Sequence, residues 1–197
     1  MWTVQYNANE LPDVATPEWT KTGDAATIEI SPAGYLHVVS STTGLSYLIT
    51  DNNLSNTTGM AMETRLKVIS GAVDDYPNWV NGVSNIEIMI NGIGRVAFLI
   101  FSNAIRAYPS GNQYVMDTTD NYHTYRYTFK DSVVKLYIDG ILRFTETNLN
   151  TTANNYVLFE PEINGGANIE TSWDYVYYRT DGAFKPGEGV SLYFDDN

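Results

Sequence analysis

Apolar residues recur along this chain with a period of two, in short runs broken by turn residues. That is the pattern of half-buried β-strands. The runs fall at residues 2–6, 26–30, 35–40, 45–50, 60–69, 86–90, 95–101, 105–108, 124–130, 133–138, 142–146, 156–163 and 168–179. A last short run lies at residues 190–194. In the 60–69 run, Met62, Thr64, Leu66 and Val68 alternate with Ala61, Glu63, Arg65 and Lys67, which predicts one buried face and one polar face. The 95–101 run is apolar on both faces and reads as a central strand. Asp139-Gly140 between two runs is a strong two-residue hairpin signal, because both central positions of a type I′ turn need positive φ. No segment shows a convincing helical period. The pattern predicts an all-β, two-sheet antiparallel β-sandwich, a jelly roll, over residues 1–180. Residues 181–197 read as a C-terminal tail or an extra strand packed on the same domain.

Composition sharpens this picture in three ways. The 197 residues fit one large sandwich, and a chain of that size buries roughly 70% of its unfolded surface without a disulfide or metal staple. There is no cysteine, so thiol catalysis is excluded. The 23 acids against 11 lysines and arginines give a net charge of −12 and no basic cluster, which argues against nucleic acid as a partner. No apolar run has the length to span a bilayer, so no membrane insertion is expected. The N-terminus lacks the basic segment and apolar core of a signal peptide. Either the chain is not exported by that route, or Met1 is an added start on an excised module.

Three stretches carry a family resemblance. Asn121-Tyr122-His123-Thr124-Tyr125-Arg126-Tyr127, followed by Lys135 to Leu142 with Leu136-Tyr137-Ile138-Asp139-Gly140, resembles the central meander of concanavalin A-like lectin/glucanase domains. Trp173-Asp174-Tyr175-Val176-Tyr177-Tyr178 resembles the closing strand of that superfamily. Leu11-Pro12, Trp19-Thr20 and Gly34-Tyr35-Leu36-His37-Val38 fit its entry. The resemblance implies the jelly-roll sandwich and a glycan as ligand, in a lectin, a hydrolase or a lyase. It also implies a structural calcium tying the N-terminal loop to the last strand, for which Asn7, Glu10 and Asp174 stand in matching places; hard cations take such oxygens.

The residues argue against the usual catalytic sites of that superfamily. Retaining hydrolases need two carboxylates about 5–5.5 Å apart. The comparable run, Asn85-Ile86-Glu87-Ile88-Met89-Ile90-Asn91, holds one carboxylate. The lyase branch needs a histidine on that strand, and there is none. The chain has two histidines: His37 in an apolar strand and His123 at a strand entry, both read as packing residues. No Gly-x-Ser-x-Gly elbow occurs. No catalytic residue is therefore assigned.

Glycan binding needs aromatic rings against sugar faces and amides, carboxylates or arginines for the hydroxyls. The candidates are Tyr76 and Trp79 in a polar loop, and Glu63, Arg65, Asn85, Glu87, Arg106 and Tyr108, which project together if the 60–69 and 84–90 strands pair. The expectation is a carbohydrate-binding, lectin-like or adhesion module of a larger extracellular, cell-surface or virion protein. A polysaccharide lyase or hydrolase with an atypical site, or a structural module forming a homo-oligomer, stays open. Three Asn-x-Ser/Thr sequons, at Asn53, Asn56 and Asn150, matter only in a eukaryotic secretory setting.

Overall fold

The structure is a computed structural model and describes residues 1–40, 44–74, 84–162 and 169–188. Fifteen strands and no helix appear among the described residues. They are β1 Val4–Tyr6, β2 Thr20–Gly23, β3 Thr27–Ile30, β4 Leu36–Ser40, β5 Leu45–Thr50, β6 Met60–Ser70, β7 Ser84–Ile90, β8 Gly94–Ile100, β9 Ala104–Tyr108, β10 Gln113–Val115, β11 His123–Lys130, β12 Val133–Ile138, β13 Ile141–Glu146, β14 Tyr156–Glu162 and β15 Ile169–Arg179. No helix here is long and apolar enough to cross a membrane.

The strands form two antiparallel sheets. The first runs β13-β12-β11-β6-β15-β4-β3, with β1 added beside the second half of β15. The second runs β10-β9-β8-β7-β14-β5-β2. This is the expected all-β sandwich. Local turns set the β7-β8-β9 and β11-β12-β13 meanders. At the β12–β13 turn Asp139 and Gly140 have φ of 49° and 80°, as a two-residue hairpin with opposed Ile138 and Ile141 requires. The β6–β15 and β7–β14 pairs join segments far apart in sequence and define the jelly roll.

The core lies between the sheets. Met60, Met62, Leu66 and Val68 of β6 enter it together with Tyr125, Tyr127 and Phe129 of β11. Ile86, Ile88 and Ile90 of β7 and Val96, Phe98 and Ile100 of β8 meet them from the other side. Phe159 of β14 is fully buried among the rings of Tyr6, Trp19, Tyr47 and Trp173, at centroid distances of 5.1–6.2 Å. Such aromatic pairs add about 0.5–1.5 kcal/mol each beyond their buried area.

After β15 the chain crosses the outer surface of the first sheet. Arg126 Nη1 donates to the Phe184 carbonyl at 3.2 Å, and the Arg179 guanidinium lies 4.1 Å from the Phe184 ring centroid. Gly59, at φ 84°, makes room for this crossing: a Cβ there would stand 3.0 Å from that of Ala183.

Candidate functional site

Period-two alternation places the site. On β7 the isoleucines point inward, so Asn85, Glu87 and Met89 point to the outer face of the second sheet. The register opposes Asn85 to Leu99 and Glu160, Glu87 to Ala97 and Leu158, and Met89 to Arg95 and Tyr156. Ala97 is opposed in turn by Tyr108 of β9. These side chains, with Leu48 of β5, line a depression of about 400 Å³. Small Ala97 at the centre, between larger neighbours, gives the face its hollow.

The polar groups in this hollow are few and close together. Glu87 is 1% exposed and accepts a hydrogen bond on Oε1 from Arg95 Nη1 at 2.8 Å. The Asn85 amide donates to Glu160 Oε2 at 2.7 Å. Among the described residues, Glu87 Oε2 and Asn85 Oδ1 are buried and make no close hydrogen bond. Arg95 is 30% exposed and lies at the mouth. Burial is the main cause that pushes the Glu87 carboxyl up to about 7; Arg95 opposes the rise and the Glu160 charge adds to it. Burial also raises Glu160, against Asn85 and Arg95. Two raised carboxyls in one hollow are the kind of perturbation that marks working sites.

Sequence reasoning named Asn85, Glu87 and Tyr108 for this surface and missed Arg95, Tyr156 and Glu160. The alternation of 156–160 held a signal: Glu160 is a carboxylate in step with Tyr156 and Leu158, opposite the buried Val157 and Phe159. Its pairing with β7 was not legible.

The expected pairing of the 60–69 and 84–90 strands is corrected. β6 pairs with β11 and β15 in the first sheet, and β7 with β8 and β14 in the second. Glu63 and Arg65 are therefore on the opposite outer face from Glu87. There Glu63 accepts from Arg126 Nε at 2.7 Å and from Tyr175 OH at 3.1 Å, while Arg65 is paired with Asp174 and stacks on Tyr122. Arg106 is 3% exposed and its Nε donates to Asp74 Oδ2 at 3.0 Å. It is buried beside the hollow and held by Asp74. Tyr76 and Trp79 lie outside the described residues.

The calcium expectation does not fit the donors. Asp174 is taken by Arg65, whose positive charge repels a cation, and Asn7 Oδ1 accepts from Tyr177 OH. The Glu10 backbone oxygen accepts from Tyr6 OH at 2.9 Å. Among the described residues no three His, Asp or Glu side chains gather as metal ligands.

Both histidines are held between two carboxylates. His37 contacts Glu29 at 3.2 Å and Glu170 at 2.9 Å; His123 contacts Asp139 at 2.7 Å and Asp120 at 2.9 Å. Burial lowers each imidazolium, and the carboxylate hydrogen bonds outweigh it, so both end raised. The signs combine. Glu87 contributes stability that is complete below its ordinary 4.5 and is lost as pH rises to about 7. The histidines contribute stability that is complete below 6.5 and lost above their raised folded values. Asp120 and Asp181, both lowered, act oppositely and lose their contribution below 3.8. Thermal melts should give a higher Tm near about pH 5 than near about pH 8. Glu87→Gln should flatten the lower part of that slope; an unchanged slope would contradict the burial of an ionisable Glu87.

No protein-family model and no curated protein matches the chain by sequence. Solved structures match it by shape. The potassium-bound Emp46p carbohydrate recognition domain superposes with a TM-score of 0.59 at 13% identity, over 93% of this chain and 100% of that one. A Bacillus licheniformis β-glucanase gives 0.59 at 14%, over 89% and 96%. The fold is the concanavalin A-like jelly roll of lectins and glucanases. A carbohydrate esterase from the Shiga toxin-encoding bacteriophage phi24B gives 0.61 at 13%, over 90% and 97%. These identities establish the jelly roll as fold and carry no residue roles across.

Proposed function

We propose that this chain is a carbohydrate-binding module that takes a glycan into the hollow on β7, β8 and β14, within a larger extracellular, cell-surface or virion protein. The observation that carries the reading is the pair of unpartnered buried acceptors, Glu87 Oε2 and Asn85 Oδ1, on residues that line a concave face with Tyr108 and Tyr156. An unmet buried acceptor costs about 1–3 kcal/mol, and a sugar hydroxyl is a donor of the right kind. Arg95 supplies donors at the mouth, and the tyrosine rings offer apolar faces for a pyranose. The concanavalin A-like fold, shared with lectin domains, supports the choice of ligand.

The test is calorimetric titration with a panel of neutral oligosaccharides. Glu87→Gln keeps the shape but replaces an acceptor, and Tyr156→Ala removes a ring. Each should weaken binding by about tenfold, the loss of one good contact. A panel in which no glycan binds the wild-type chain overturns the reading.

A second reading is favoured by one observation. Glu87 and Glu160 are diagonal neighbours across β7 and β14, and both are raised. Diagonal positions on a sheet are about 7–8 Å apart at the backbone, a spacing from which two glutamate side chains can reach the carboxyl separation of inverting glycosidases, about 6.5–9.5 Å. Release of reducing ends that disappears in both Glu87→Gln and Glu160→Gln would establish hydrolysis over binding alone.

A further inference from the structure

The opposite face of the sandwich carries a second depression, of about 380 Å³, between the β11–β12 hairpin and the crossing segment after β15. Thr128, Val133 and Tyr137 line it from the outer side of the first sheet, and Ala183 and Lys185 from the crossing segment. Three lysines border it: Lys130, Lys135 and Lys185.

Their state departs from that of the other cations. Arg65, Arg95, Arg106, Arg126 and Arg179 are each paired with an acid, Lys21 with Asp24, and Lys67 with the Asp120 carbonyl. Arg143 stacks on Tyr114. Lys185 meets Glu188 at 3.0 Å. Lys130 and Lys135 make no hydrogen bond or ion pair among the described residues, and both line this one depression. In a chain with 23 acids and 11 lysines and arginines, that leaves two lysines side by side with no ion-pair partner among the described residues. The register opposes Thr128 to Lys135 and Lys130 to Val133, so the two lysines are diagonal neighbours on one face. Like charges so close repel, and no ion pair among the described residues ties either lysine.

We propose that this depression is a second binding site, for an anionic sugar unit: Lys130 and Lys135 take a sulfate ester or carboxylate, and the half-buried Tyr137 ring faces the sugar. Asp131 and Glu188 also border the depression, so its charge is three positive against two negative. That excess suits a single oxyanion on an otherwise hydroxylated ring. The overall charge of −12 disfavours a densely anionic polymer at longer range. The site lies on the opposite sheet from the Glu87 hollow, so either can fail without the other.

The experiment is titration at low salt, where exposed charges are least screened, with sulfated dextran oligomers, oligogalacturonates and neutral dextran oligomers of matched length. Sulfated or carboxylated oligomers bind, which of them identifying the oxyanion, and the neutral ones do not. Lys130→Gln with Lys135→Gln weakens that binding by about tenfold or more and does not lower Tm, since it removes the like-charge pair without adding another. Tyr137→Ala weakens it too; inorganic sulfate alone competes poorly. Absence of binding to both acidic oligomers overturns the proposal. So does binding that the double lysine variant leaves intact, and so does competition by inorganic sulfate as effective as the sulfated oligomer.

Discussion

Phe159→Ala should cost about 3–5 kcal/mol of stability, the range for emptying a large aromatic site in a packed core. Phe159 is fully buried and touches four other rings, drawn from the N-terminal segment, β5 and β15. Trp19 meets it edge-on at 77°, while Tyr47 stacks at 25°. Removing the central ring leaves these partners facing a void that two stiff sheets cannot close. For a domain of this size each kcal/mol shifts Tm by about 2–4 °C, so calorimetry should show a fall of roughly 10 °C. Phe159→Leu, nearer in volume, should cost less than half as much. A fall of only a degree or two for Phe159→Ala would mean that the cluster repacks. The consequence reaches the hollow, because Leu158 and Glu160 flank Phe159 on the opposite face of β14. The ring that anchors the strand also fixes the height of the Glu160 carboxyl beside Asn85.

The same strand shows what the sequence makes legible and what it hides. Alternation assigned the faces of 60–69 correctly, because burial on one side forces period two. Asp139-Gly140 located a turn because few residues tolerate its dihedrals. Alternation is silent on which sheet a strand joins. Glu63 and Glu87 have the same local pattern, and both belong to polar positions of half-apolar strands. Only the long-range pairs β6–β15 and β7–β14 separate them onto opposite faces. The same blindness hid Glu160, some seventy positions from its partner Asn85. It also credited Asp174 to a cation when Arg65, on a neighbouring strand, already held it. The edge strands β2 and β10 escaped notice for a different reason. Thr20-Lys21-Thr22-Gly23 buries no large apolar side chain, and Gln113-Tyr114-Val115 is too short to show a period.

Arg106 gives the second large effect. Its side chain is 4% exposed and that of Asp74 is 0% exposed, and the pair is joined at the edge of the β8–β9 face. Gln113 Nε2 adds a hydrogen bond to Asp74 Oδ2 at 2.9 Å, and the Phe101 ring centroid lies 5.0 Å from the guanidinium. Asp74→Ala strands a buried cation, and Arg106→Met strands a buried carboxylate. Each should cost about 3–5 kcal/mol in urea unfolding, because desolvation remains after the partner has gone. The double variant Asp74→Leu with Arg106→Met should recover most of that loss, since neither charge then needs solvation and the methionine sulfur can pack on Phe101. Additive losses in the cycle would show that the two residues act independently, against the geometry. The cycle also decides between structure and ligand for Arg106. A guanidinium that holds a glycan would leave the double variant stable but unable to bind. A guanidinium that holds only Asp74 leaves glycan affinity within about twofold of wild type once stability returns, because the hollow around Glu87, Arg95 and Tyr156 is untouched.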